Sequence, residues 1–190
     1  ARKAGHTGTL DPFATGLLPL AFGEATKFSR FLTDSRKSYR ATLRLGVEST
    51  TGDTEGQLSV PRPVDVSTRQ IDDVLGTFAG VGVQIPPMHS AVHHGGRRLY
   101  ELAREGIEVA REPRRIEVHE LHREVLEGDP LVLSVTCSKG TYIRTLAADI
   151  GRGLGCGAYL VALRRTAVGR FRVEEAVGLE TLEKAGVEGA

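Results

Sequence analysis

Long hydrophobic runs are missing from this chain, and so is any sizeable excess of charge. No apolar stretch approaches membrane-spanning length and no basic-then-apolar leader opens the sequence, so a cytoplasmic protein without membrane association is expected. Cysteine is scarce: Cys137 and Cys156 stand apart, in no metal or redox spacing, as suits a reducing compartment. Neither a G-x-x-x-x-G-K-[ST] nor a G-x-G-x-x-G phosphate loop occurs, and "GRGLGCG" (151–157) misses the dinucleotide spacing and follows a helical pattern instead of a strand. Internal repeats, low-complexity segments, a Ser/His/Asp order and paired-carboxylate spacing are likewise lacking.

What remains is 190 residues with 40% hydrophobic and 26% charged content, enough for one sizeable globular core. The net charge of +1 hides an uneven distribution. Residues 1–45 carry eight Lys/Arg against three Asp/Glu, and 134–172 carry seven against one, whereas 46–75 and the tail 173–190 are acidic. Two basic blocks remote in sequence either converge on one face suited to a polyanion or form ordinary solvated surface.

Strand and helix patterns interleave without a regular βαβ beat, which predicts an α+β fold. "GLLPLAFG" reads as a short buried strand and "EATKFSRFLT" as a helix. "KSYRATLRLGV" alternates, placing Tyr39, Ala41, Leu43 and Leu45 on one face of a strand. Ser67 and Gln70 form a capping box for a helix through "STRQIDDVLGTF". The uncharged stretch 80–96 reads as a loop, "RRLYELAREG" as a helix stopped by Gly106, and "RRIEVHELHREVL" and "PLVLSVTCS" as neighbouring strands joined by a hairpin at "EGDP". An amphipathic helix "TYIRTLAADIGRGL", a strand "AYLVALRRTAVGRF" and one short tail helix complete the pattern. The abrupt start and the lack of a closing element read as a fragment.

"GHTGTLDPFATGLLP" (5–19) is the most unusual stretch. Asp11 precedes a proline at the exit of a glycine-punctuated loop, so it either forms an Asp-Pro turn or is a carboxylate held out for chemistry. His89, His93 and His94 lack a second ligand cluster and read as surface histidines, not a metal site. His119 and His122 fall on opposite faces of a strand.

Six co-linear segments change the weighing: "GHTGTLDPFATGLLPLAFGEATKF", "KSYRATLRLG", "TTGDTEG", "QIPPMHSA", "GRRLYELAREG" and "CSKGTYIRTLAADIG…LRRTAVGRF". Together they closely resemble the bacterial tRNA pseudouridine synthase TruB family, from residue 2 to about residue 172. The resemblance implies the pseudouridine synthase fold, a mixed and largely antiparallel sheet flanked by helices with a central cleft. It implies isomerisation of uridine 55 in the TΨC arm of tRNA, without a cofactor or metal, by a monomer that needs no protein partner. Asp11 matches the family's catalytic aspartate, attacking ribose C1′ or base C6. Arg144 matches its arginine partner, Asp53 an acid in the same charge network, and Tyr39 the tyrosine lying against the flipped base. His6 matches the histidine that holds the disrupted RNA loop, while Tyr142 and Leu163 match apolar pocket walls. Lys27, Arg164 and Arg165 are candidates for RNA-backbone contacts, and 80–96 corresponds to a segment that clamps the RNA arm. Residues 1–172 correspond to the catalytic domain and 173–190 to the start of a C-terminal extension; the family's N-terminal strand motif and PUA-type region fall outside this stretch. The sequence departs from the pattern at His89, usually Tyr or Phe, and at His93, usually Lys. The guide-RNA-dependent relatives and a non-catalytic RNA-folding module are the alternatives.

Overall fold

The computed structural model describes residues 3–124 and 130–188. A small ribbon of β1 (Ala4–His6) and β3 (Leu20–Phe22) opens the chain, with β2 (Thr15–Gly16) in the loop between them. A 3₁₀ turn (Gly23–Phe28) and α1 (Ser29–Asp34) lead into β4 (Lys37–Leu45). Then come α2 (Thr68–Phe78), β5 (Gly80–Gln84), a hairpin of β6 (His93–His94) and β7 (Arg97–Arg98), and α3 (Leu99–Arg104). The chain continues with β8 (Arg114–Arg123), β9 (Leu131–Cys137), α4 (Ile143–Gly153), β10 (Ala158–Val168), β11 (Phe171–Arg172) and α5 (Leu179–Glu188).

The central sheet runs β11-β10-β4-β9-β8-β5 with every neighbour antiparallel, and β2 adds to β10 in parallel. This is the α+β class that the interleaved patterns predict, with the largely antiparallel sheet that the resemblance implies. Alternation along β4 buries Ala41, Leu43 and Leu45, which meet Leu131, Leu133 and Val135 of β9 and Leu160 and Leu163 of β10. α4 covers this row with Ile143, Leu146, Ala147 and Ile150, and α2 adds Leu75. The α2 start is the capping box read from the sequence: the Ser67 hydroxyl accepts from the Gln70 amide, and the Gln70 side chain accepts from Ser67 N–H.

Two local expectations change. β3 is not a buried strand: with only the three-residue β1 as partner, one of its faces is open, and Leu20 and Phe22 are more than half exposed while Ala21 is buried. The segment 80–96 is not all loop, because Gly80–Gln84 hydrogen-bonds along β8 as the edge strand and His93–His94 pairs with Arg97–Arg98 around Gly95-Gly96. Most of the expected "EGDP" turn lies outside the described residues, although the β8 and β9 flanking it do pair antiparallel. Among the described residues no helix is long and apolar enough to cross a membrane.

The sheet row that α4 covers continues past the start of the helix. Beyond Ile143 the helix no longer covers the floor, and its next side chains, Tyr39 on β4 and Leu163 and Arg165 on β10, contribute to the lining of a cleft. The end of one helix therefore makes the site.

Candidate active site

The cleft has a volume of about 810 Å³, and Asp11, Tyr39, Asp53, Tyr142, Arg144 and Leu163 all line it. Six of the ten candidate residues, drawn from five separate segments, thus share one hollow. Arg165 lines it too, but from below.

Arg144 lies in the first turn of α4 and is 5% exposed. Its Nε donates to Asp11 Oδ2 at 2.9 Å and its Nη2 to Asp11 Oδ1 at 3.2 Å, a two-armed contact that fixes the carboxylate plane. The remaining donors go to the main chain: Nη2 to the His89 carbonyl at 2.8 Å and Nη1 to the Thr51 carbonyl at 3.2 Å. Asp53 Oδ2 lies 3.5 Å from Nη1. A cation buried at a helix N-terminus opposes the helix dipole and loses its hydration, so it persists only because these acceptors surround it.

Asp53 is 2% exposed, and its Oδ1 accepts from the Thr51 hydroxyl and from Glu55 N–H. It sits in a tight turn that Gly52 makes possible. Gly52 has φ +78°, and a Cβ there would press to 3.2 Å of Arg144 Cβ. Arg144 thus holds two carboxylates: Asp53, walled in, and Asp11, a third exposed and open to the cleft. Of the two, only Asp11 is free to meet a substrate.

The start of α4 is itself clamped. Gln84, buried at the end of β5, accepts from Tyr142 N–H at 2.8 Å through Oε1 and donates back to the Tyr142 carbonyl at 3.1 Å. That exchange sets both Tyr142 and Arg144. Burial pushes the Tyr39 phenol up to about 12, so the ring stays neutral at any physiological pH. Burial pushes the Cys137 thiol up to about 11, leaving it a packing residue.

The other expected RNA contacts lie elsewhere. His6 is exposed and outside the cleft lining, its Nδ1 accepting from Gly8 N–H at 3.4 Å. Lys27 is exposed on the 3₁₀ turn and pairs with Glu24. Arg164 lies between Leu163 and Arg165, so strand alternation turns it to the opposite face. Arg165 is 2% exposed and donates to protein carbonyls, where a surface cation free for phosphate was expected. His89 is exposed at the cleft, and its carbonyl accepts from Arg144 Nη2.

The cleft has instead a wall of arginines that the sequence concealed. Arg98, Arg104, Arg114 and Arg115 are exposed, line the cleft and form no ion pair among the described residues. By residue count the block 97–124 is balanced; Glu105 pairs with Arg97, Glu108 with Arg111 and Glu124 with Arg40, none of them with the four cleft arginines. Tyr100 lies under both Arg98 and Arg104, with guanidinium carbons 5.8 and 5.4 Å from its ring centroid. The clue available was the run of arginines before, at the end of and after α3.

A family model described as "TruB family pseudouridylate synthase (N terminal domain)" matches residues 1–143, and one described as "tRNA pseudouridylate synthase B C-terminal domain" matches 144–188. The chain belongs to the TruB family. The Asp11–Arg144 contact joins the two matched segments. Over 189 residues the chain is 58% identical to tRNA pseudouridine synthase B of Dechloromonas aromatica (strain RCB), covering 98% of this chain and 63% of that protein. It is 52% identical over 189 residues to the namesake from Stutzerimonas stutzeri (strain A1501), covering 100% and 62%. The chain therefore spans about three-fifths of the length of these TruB relatives. Among solved structures, it is similar to a chain of a Cbf5-Nop10-Gar1 complex, with TM-score 0.71 and 32% identity over 94% of this chain and 44% of that one. It is also similar to a chain of an H/ACA RNP bound to a substrate RNA containing 2′-deoxyuridine, with TM-score 0.67 and 28% identity over 98% and 48%.

Proposed function

We propose that this chain is the catalytic part of a tRNA pseudouridine synthase that isomerises uridine 55 in the TΨC arm. One observation carries the reading: in a TruB-family chain, a guanidinium-held and solvent-open Asp11 shares a cleft with the neutral ring of Tyr39. The reaction breaks the bond from C1′ to N1 of uracil, joins C1′ to C5 of the same base, and moves a proton from C5 to N1. Nothing is oxidised or reduced.

Asp11 acts as the nucleophile, and Arg144 keeps its oxygens aimed as the charge on them changes. The target base leaves its stack at a cost of a few kcal/mol. Stacking on Tyr39, worth about 1–3 kcal/mol, offsets much of that cost, and Leu163 and Tyr142 close the sides. Arg98, Arg104, Arg114 and Arg115 hold the phosphates of the arm, giving a strong salt dependence. His6 steadies the opened RNA loop at the rim. The enzyme works on tRNA as a cytoplasmic monomer, with residues 1–172 as the catalytic unit and no guide RNA. The 52–58% identity to proteins named tRNA pseudouridine synthase B, against 28–32% to chains of a Cbf5-Nop10-Gar1 complex and an H/ACA RNP, favours this choice.

The test is incubation of the purified protein with an unmodified T-arm stem-loop, followed by nucleoside analysis. Pseudouridine at the position equivalent to 55, formed without guide RNA, is expected. No pseudouridine from a longer protein that contains this chain, or its formation only with a guide RNA, overturns the reading.

A further inference from the structure

Arg165 is the largest fully buried side chain among the described residues, and no carboxylate pairs with it among them. Three of its N–H groups donate to main-chain oxygens: Nε to Leu17 at 2.8 Å, Nη1 to Thr9 at 3.3 Å and Nη2 to Gly8 at 3.1 Å. These carbonyls belong to the two limbs of the loop that carries Asp11. The strand continues the grip, because Leu17 N–H donates to the Arg165 carbonyl at 2.8 Å and β2 pairs with β10 at Arg164–Arg165. Gly16 permits this approach: it has φ +104°, and a Cβ there would fall 2.2 Å from the Arg165 carbonyl oxygen. On its other side Arg165 faces Tyr39 directly across the β10–β4 ladder.

A buried cation with no carboxylate partner is costly, and an aliphatic side chain of similar size would avoid the cost. What an aliphatic chain cannot do is bridge both limbs of one loop. We infer that Arg165 is a positioning residue, a buried fork that sets the height of Asp11 above Tyr39 by holding the loop 8–17 from beneath. It touches neither base nor phosphate. The inference rests on the activity proposed above, but its structural half can be read without catalysis.

A rigid fork and a flexible point charge differ in this job, so Arg165→Lys is the informative variant. The measurements are single-turnover rate, RNA dissociation constant and its salt slope with a T-arm stem-loop, and amide hydrogen exchange. The expected result is a rate lower by about 10²-fold, since a small misplacement of a nucleophile has that effect. The dissociation constant should stay within about twofold of the unaltered protein and the salt slope should not change, because Arg165 meets no phosphate. Exchange should quicken in residues 8–17 and stay as it was in β4 and α4. In Arg165→Ala, added methylguanidinium should restore part of the rate; if that variant does not fold, the lysine variant decides. An unaltered rate with unaltered exchange in 8–17 overturns the inference. So does weaker binding with a salt slope reduced by about one, which would make Arg165 an RNA contact. If the unaltered protein makes no pseudouridine while exchange in 8–17 still responds to Arg165→Lys, the activity reading falls and the positioning role stands.

Discussion

Arg144 grips both oxygens of Asp11, at 2.9 and 3.2 Å, across a sequence separation of 133 residues. The same guanidinium reaches Asp53 at 3.5 Å, so one buried cation stands between an enclosed carboxylate and an open one. Removing either kind of partner has a different consequence, and the two are separable.

Asp11→Asn keeps the shape of the open partner and removes its charge. Pseudouridine formation should fall by at least about 10⁴-fold, the scale of losing a nucleophile. Binding of a T-arm stem-loop should stay within a few-fold, since the arginine wall is untouched. A binding isotherm beside a single-turnover assay checks both.

Arg144→Met strands Asp53, which is 2% exposed. Breaking a buried pair from one side costs about 3–5 kcal/mol, so a clear drop in the denaturant midpoint is expected along with loss of activity. Arg144→Lys should lose less stability yet still be slow, because an ammonium cannot serve Asp11 with two arms and also reach the Thr51 and His89 carbonyls.

The arginine wall should govern affinity and not chemistry. Arg98→Ala, Arg104→Ala, Arg114→Ala and Arg115→Ala should each weaken RNA binding and lower the salt slope by about one, leaving the bound rate within a few-fold. Lys27→Ala, on the exposed turn paired with Glu24, should change the slope much less. Dissociation constants over a salt series distinguish the two groups.

Tyr39 should resist ionisation. Its phenol is raised from 10.0 to about 12, chiefly by burial, although the nearby Arg165 pulls it the other way. A raised acid stabilises the fold fully below its unfolded value, and that contribution fades as pH climbs from about 10 to about 12. In a difference absorbance titration of the protein against Tyr39→Phe, the phenolate belonging to residue 39 should emerge only near the upper value. Emergence near pH 10 would mean the ring is solvated.

Much of the scaffold is legible in linear order because the forces concerned are local. Alternation along 37–45 marks β4, since side chains two apart share a face. Ser67 and Gln70 mark the start of α2, since a cap acts over three residues. Gly106 and Gly155 stop α3 and α4 in left-handed backbone, with φ +72° and +77°. Failures came where a partner strand decides. Whether Leu20 and Phe22 are buried depends on what lies over β3, and whether 80–84 is strand depends on β8 running beside it.

By itself the sequence determined that this is an α+β chain of ordinary globular composition and carries the co-linear TruB segments, Asp11 and Arg144 among them. Only the folded chain decided which cations belong to the cleft. Arg164 and Arg165 are neighbours with the same side chain, yet one is exposed and the other is buried under the loop of Asp11. Four arginines in a charge-balanced block form the wall because β7, the end of α3 and the start of β8 all come to the cleft. The physical reason is that a charge is placed by the groups that surround it in space, and for Arg165 those arrive from a loop 148 to 157 residues away in sequence.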